Sequence, residues 1–132
     1  MVQFSLGIFL MMHAVVHLLY AGQAGRLFEL RPGLKWPEGS WLYRRMLKAR
    51  ELNTIASGTM LLAGLAFLAA GVGTVTFQEW WRAATIGSAV LSALLFLVFW
   101  DGRLKELDAQ GAVGVAIDVF LLAVVEVFGK GE

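Results

Sequence analysis

The sequence contains no cysteine among its 132 residues. Thiolate zinc or iron–sulfur ligation, a C-x-x-C redox pair, a cysteine nucleophile and any disulfide staple are thereby excluded. Charge is scarce as well: 16% of residues are Asp, Glu, Lys or Arg, against about 25% in soluble domains. Proline appears only at Pro32 and Pro37, so the strongest helix breakers are confined to one stretch. No G-x-x-x-x-G-K-[ST] segment is present. Gly71-Val72-Gly73 is followed by Thr76 where a dinucleotide fingerprint needs a third glycine, so nucleotide chemistry is unsupported. What is abundant is apolar: 58% of residues are hydrophobic, above the roughly 45–50% of soluble domains. Such a composition belongs in a bilayer.

The apolar residues fall into four runs. Residues 1 to 25 hold no charge, and their apolar part from 4 to 20, with its flanks, approaches the roughly 20 residues that span hydrocarbon. Residues 52 to 78 form a second charge-free run that closes on Gly71-Val72-Gly73, where glycine can end a helix in a left-handed conformation. The third run, 83 to 100, has Trp80, Trp81 and Trp100 at its ends as interfacial anchors. The fourth, 109 to 128, carries Asp118 and Glu126. The expected fold is an all-α, transmembrane, antiparallel four-helix bundle, one membrane domain with helices at about 2–21, 52–73, 81–100 and 109–128 and a long basic first loop. No basic residue precedes the first run, which argues against a cleaved signal peptide and for a retained helix.

Orientation follows from Lys and Arg. Arg26, Arg31, Lys35, Arg44, Arg45, Lys48 and Arg50 lie in the first loop, Arg103 and Lys105 in the third, and only Arg82 and Lys130 on the other side. Loops 22–51 and 101–110 are therefore expected in the cytoplasm of a prokaryotic cell, with both termini outside. In the first loop Ser40 is a good N-cap, followed by a breaker-free stretch that predicts a basic helical extension over 41–51. Its Arg44, Arg45, Lys48 and Arg50 form a surface for anionic lipid head groups or a partner, or simply ordinary positive-inside flanking. Because the basic residues flank spans, no nucleic-acid partner is expected. Asp101-Gly102 opens the last connection as a turn signal.

Ionisable residues inside apolar runs are costly there and mark functional sites. They are His13 and His17 in the first helix and Asp118 and Glu126 in the fourth. At 1.5 Å per residue, His13 and Asp118 both fall about 15–17 Å below the outer boundary, near the midplane. Glu126 is level with Gln3 near the outer interface. Four residues separate the histidines, so both leave one helix face, between Phe9 and Tyr20. Gly111 and Gly114 share the face of Asp118, where glycine lets another backbone approach closely. Ala84, Ser88 and Ser92 make a small-residue stripe on the third helix. His13, His17, Asp118 and Ser92 are expected to converge on the bundle axis.

Several chemistries suit such a cluster. His13, His17 and Asp118 could ligate a divalent metal, although Ala14-Val15-Val16 lacks the glutamate of an H-E-x-x-H hydrolase. A haem could take one axial histidine, or one from each copy across a dimer, but not both within one chain, because the two leave the same side of one helix. A quinone or proton site could exchange a proton between histidine and Asp118. An Asp–His bond could also serve only to fix helix register. Asn53, Thr54, Ser57 and Thr59 carry less weight, since Ser and Thr satisfy their own helix backbone.

His13-Ala14-Val15-Val16-His17-Leu18-Leu19-Tyr20, with Ser40-Trp41-Leu42 and Ile117-Asp118, resembles a group of short four-span prokaryotic membrane proteins with an H-G-x-x-H-L-like first helix. Ala14 stands where that group has glycine. The resemblance implies four spans and carries no activity with it. Size and span number are also similar to DoxX-like proteins, without a residue-by-residue match. The functional expectation is binding of a small ligand, metal, cofactor or proton inside the bundle by His13, His17 and Asp118, without bond-breaking chemistry. The alternative is a non-catalytic accessory or assembly subunit of a larger membrane complex. A transport path would require a homo-oligomer.

Overall fold

The computed structural model describes residues 1–108 and 110–129, so Ala109 of the expected fourth helix and Lys130 of the charge count lie outside it. Among the described residues there are four helices and no strand: α1 (Val2–Ala24), α2 (Ala49–Val75), α3 (Trp81–Val98) and α4 (Ala112–Gly129). Three of them, α1, α2 and α3, are long and apolar enough to cross a membrane. No proline interrupts any of the four. The hydroxyls of Thr54, Thr59, Thr74, Thr85 and Ser88 donate to carbonyls three or four residues back in their own helices. That local bonding lets polar side chains reside in apolar helices.

Helices adjacent in sequence pack against one another, α1 on α2, α2 on α3 and α3 on α4. The α1/α2 seam is built from small residues at seven-residue intervals: Gly7, Ala14 and Ala21 meet Gly71, Gly64 and Ser57 in reverse order. A Cβ on Gly71 would stand 2.9 Å from the Gly7 carbonyl oxygen and 2.6 Å from Met11 Cγ. Ser57 Oγ–H reaches across the seam to the Ala21 carbonyl at 2.8 Å, unlike the neighbouring threonines. Such close backbones are how helices pack tightly without bulky side chains. Gly71-Val72-Gly73 therefore serves packing and does not end α2, which continues to Val75; the left-handed residue comes later, at Phe77.

The α3/α4 contact also departs from the expected approach of two backbones. Gly111 and Gly114 make room for an aromatic ring: Cβ atoms there would lie 2.1 and 2.6 Å from carbons of Phe96. Gly111 also has φ +90, a conformation that L side chains rarely adopt, and α4 starts immediately after it.

The first loop folds over one end of the bundle. Gln23, fully buried, accepts the Leu30 N–H at 2.8 Å and donates to the Leu34 carbonyl at 2.9 Å. Trp36 is buried against Tyr20, Phe96 and Phe99. Ser40 Oγ–H donates to the Val98 carbonyl, Trp41 Nε1–H to Leu97 O and the Trp41 backbone N–H to Trp100 O, the last two at 2.8 Å. These bonds satisfy carbonyls at and beyond the C-terminus of α3, which lack partners within the helix.

Ser40 also accepts the Tyr43 N–H at 3.3 Å, as an N-cap does. Of the expected helical extension over 41–51, however, only 49–51 is helical, as the start of α2. Residues 41 to 46 are turns, and Lys48 is extended at ψ 158 before α2 begins at Ala49. With residues 40 and 41 tied to the end of α3, the chain must change direction before entering α2. Its new start is marked by the Lys48 N–H donating to Glu51 Oε2 at 2.9 Å. Arg44, Arg45, Lys48 and Arg50 are all exposed. The expected turn at Asp101-Gly102 is present, with Gly102 at φ +83 and Asp101 Oδ1 accepting the Arg103 N–H at 2.9 Å.

Candidate functional site

Two apolar clusters fill the interior. One, under the first loop, includes Trp36, Met60, Phe96 and Phe99; the other holds Leu10, Ala14, Phe67, Ala89 and Leu121. Among the polar side chains buried with them are His13, His17, Ser92 and Asp118. They come from α1, α3 and α4. Phe67 of α2 stands against both imidazoles, at ring-centroid distances of 4.7 Å to His13 and 5.0 Å to His17.

His13 Nε2 lies 3.3 Å from Asp118 Oδ1. The two side chains expected at equal depth thus meet across 105 residues of sequence. His17 occupies the next turn of α1, its ring edge-on to that of His13 at 4.7 Å. Its Nδ1 is 3.1 Å from the His13 backbone carbonyl and its Nε2 is 2.7 Å from Ser92 Oγ. A carbonyl can only accept, so Nδ1 carries the hydrogen; in the neutral ring Nε2 then accepts from the Ser92 hydroxyl. Both nitrogens of His17 are occupied, and its orientation is fixed by α3.

Asp118 is fully buried, and its Oδ2 has no hydrogen-bond partner. An ionised carboxylate in an apolar interior is strongly disfavoured unless paired. The His13–Asp118 pair remains neutral overall in two forms, imidazolium with carboxylate or imidazole with carboxylic acid. The forms differ only in where one proton resides.

The four site residues resolve into two pairs, His13 with Asp118 and His17 with Ser92. Among the described residues no group of three His, Asp or Glu side chains stands ready to hold a metal ion. The Nε2 of His17 bonds to Ser92, whereas Asp118 bonds to His13. Phe67 packs against both imidazoles and Phe96 against that of His17. Phe9 stacks on His13 at 6.3 Å, and Tyr20 packs on Trp36 and Phe96 below the pair. Glu126 lies on an exposed part of α4, apart from the buried quartet.

Sequence reasoning did not find Phe67 or Phe96, because a phenylalanine in an apolar run carries no signal of what it touches. Gln23 had a signal, as an amide at the end of an otherwise apolar run. Comparison with family models, curated proteins and solved structures finds no match to this chain.

Proposed function

We propose that the chain is a four-span protein of a prokaryotic cytoplasmic membrane that holds an exchangeable proton on His13 and Asp118, with His17 and Ser92 orienting the site and no bond-breaking step. The membrane reading is supported by inverted polarity. The buried side chains include His13, His17, Ser92 and Asp118, while Met12, Val15, Leu62, Leu65, Leu94 and Val119 are each more than half exposed. Large exposed apolar faces on every helix suit lipid better than water. In this reading α4 is the fourth span and tolerates Asp118 because the carboxyl faces His13. The Lys and Arg distribution sets both termini outside. The exposed Arg44, Arg45, Lys48 and Arg50 then stand at the level of cytoplasmic anionic head groups.

The proton reading is carried by one observation: Asp118 is sealed from solvent with one oxygen on His13 and the other without a partner. A proton on this pair requires no movement of Phe67, which packs against both imidazoles. Infrared difference spectroscopy of the protein in lipid nanodiscs, before and after exchange of H2O for D2O, tests it. A band of the pair that shifts on deuteration in the native chain and is missing from Asp118→Asn is expected. A native spectrum with no deuterium-sensitive band that depends on Asp118 overturns the reading.

A further inference from the structure

The first loop and the first turns of α2 border a cleft of about 420 Å³, apart from the buried histidines. Its polar lining residues are Arg26, Lys35, Glu38 and Asn53. Arg26 follows the end of α1 by two residues, and Asn53 lies in the second turn of α2. In the membrane reading the cleft therefore stands where two spans leave the hydrocarbon, at head-group depth. Leu27, next to Arg26, is 80% exposed and faces acyl chains in that placement. The guanidinium of Arg26 is held in position: its Nη2 donates to the carbonyls of Lys35 and Pro37 at 3.2 and 3.3 Å and to Asn53 Oδ1 at 3.4 Å. None of these bonds uses Nη1 or Nε, so N–H donors remain for a ligand. Lys35 and Glu38 line the same cleft with opposite charge, both exposed, and among the described residues neither makes an ion pair.

Opposite charges that border one cleft without pairing leave a place for a ligand that carries both signs. We infer that the cleft binds a phosphoethanolamine group, as in the head group of phosphatidylethanolamine. The phosphate accepts from Arg26 and Lys35, and the primary ammonium donates to Glu38. A phosphate presents several acceptor oxygens to two cations at once, and an ammonium has three N–H donors. A choline head group has the same phosphate and the same net charge but no N–H, so Glu38 separates the two lipids by hydrogen bonding. The exposed Arg44, Arg45, Lys48 and Arg50 respond to net charge, which the two lipids share. The inference rests on the membrane placement proposed above and not on the proton held by His13 and Asp118.

Native mass spectrometry of the whole chain, released from micelles holding equal amounts of dioleoyl phosphatidylethanolamine and dioleoyl phosphatidylcholine, tests this. Retention of the ethanolamine lipid about three-fold above the choline lipid is expected, the scale of one exposed charged contact. Glu38→Gln should bring the two lipids level, and Lys35→Gln should lower both. Arg26 is left in place because it ties the loop, whereas Lys35 and Glu38 have no side-chain partner whose loss could loosen it. Displacement by excess water-soluble glycerophosphoethanolamine would show that the free group suffices; resistance to it assigns the site to the lipid. Equal retention by the native chain, a preference that survives Glu38→Gln, or retention unchanged in Lys35→Gln would overturn the inference alone. Retention of neither lipid would overturn the membrane placement with it.

Discussion

The His13–Asp118 contact makes a prediction that separates a paired site from two polar residues that merely share an interior. Replacing His13 with leucine strands Asp118 Oδ1 beside an Oδ2 that already has no partner. Replacing Asp118 with leucine strands His13 Nε2 in the same way. A buried polar group left unsatisfied costs about 1–3 kcal/mol. The double replacement strands neither, and exchanging both partners for apolar side chains of similar volume is close to neutral. Each single variant should therefore lose about 1–3 kcal/mol and the double about 0–1, a coupling of about 3.5 kcal/mol at the middle of those ranges. Polar contacts between membrane helices average only about 0.6 kcal/mol, because separated helices find other partners. This pair should exceed that average, since Phe67, Phe96 and the apolar clusters offer Asp118 no substitute. Reversible unfolding of the four species in mixed micelles, followed by circular dichroism, measures the cycle. A double variant that loses the sum of the single losses to within about 0.3 kcal/mol would refute the reasoning.

Two further outcomes follow from packing and charge. Gly71→Leu should destabilise by about 1–3 kcal/mol through overpacking of the α1/α2 seam, whereas Gly58→Ala, where a Cβ meets nothing within 4 Å, should stabilise by about 0.5–1 kcal/mol; thermal unfolding of both variants checks the contrast, which fails if they shift in the same direction. Exchanging Arg44, Arg45, Lys48 and Arg50 together for glutamine should reduce retention of phosphatidylglycerol in native mass spectrometry, at about 1 kcal/mol per basic residue at low salt; retention equal to that of the native chain would remove the head-group assignment.

The central contact was legible because charge in an apolar run is conspicuous and helix rise converts sequence position into depth. His13 and Asp118 could be placed at one level without knowing which helices touch. Ser92 was reachable by the same route, as a polar member of a small-residue stripe. The loop was not legible, because its form depends on distant groups. Ser40 has the local signature of an N-cap, yet its hydroxyl and the Trp41 indole also bond to carbonyls at the end of α3, and that anchoring halts the expected helix. Glycine was ambiguous for a related reason. Gly71-Val72-Gly73 and Gly111 carry the same residue type, but the first serves a helix seam and the second a left-handed turn beneath an aromatic ring. Only the partner distinguishes them.

The seven-residue glycine seam has a consequence for biogenesis. With Gly7, Gly64 and Gly71 in place, α1 and α2 can close into a hairpin as soon as both have been synthesised, before Ser92 or Asp118 has left the ribosome. The two imidazoles would then wait on an unfinished surface, and each later helix would supply one of them with a mate: α3 the serine, α4 the aspartate. A chain stopped short of its last helix would leave His13 Nε2 without its carboxylate mate, although Phe67 would still stand against its ring.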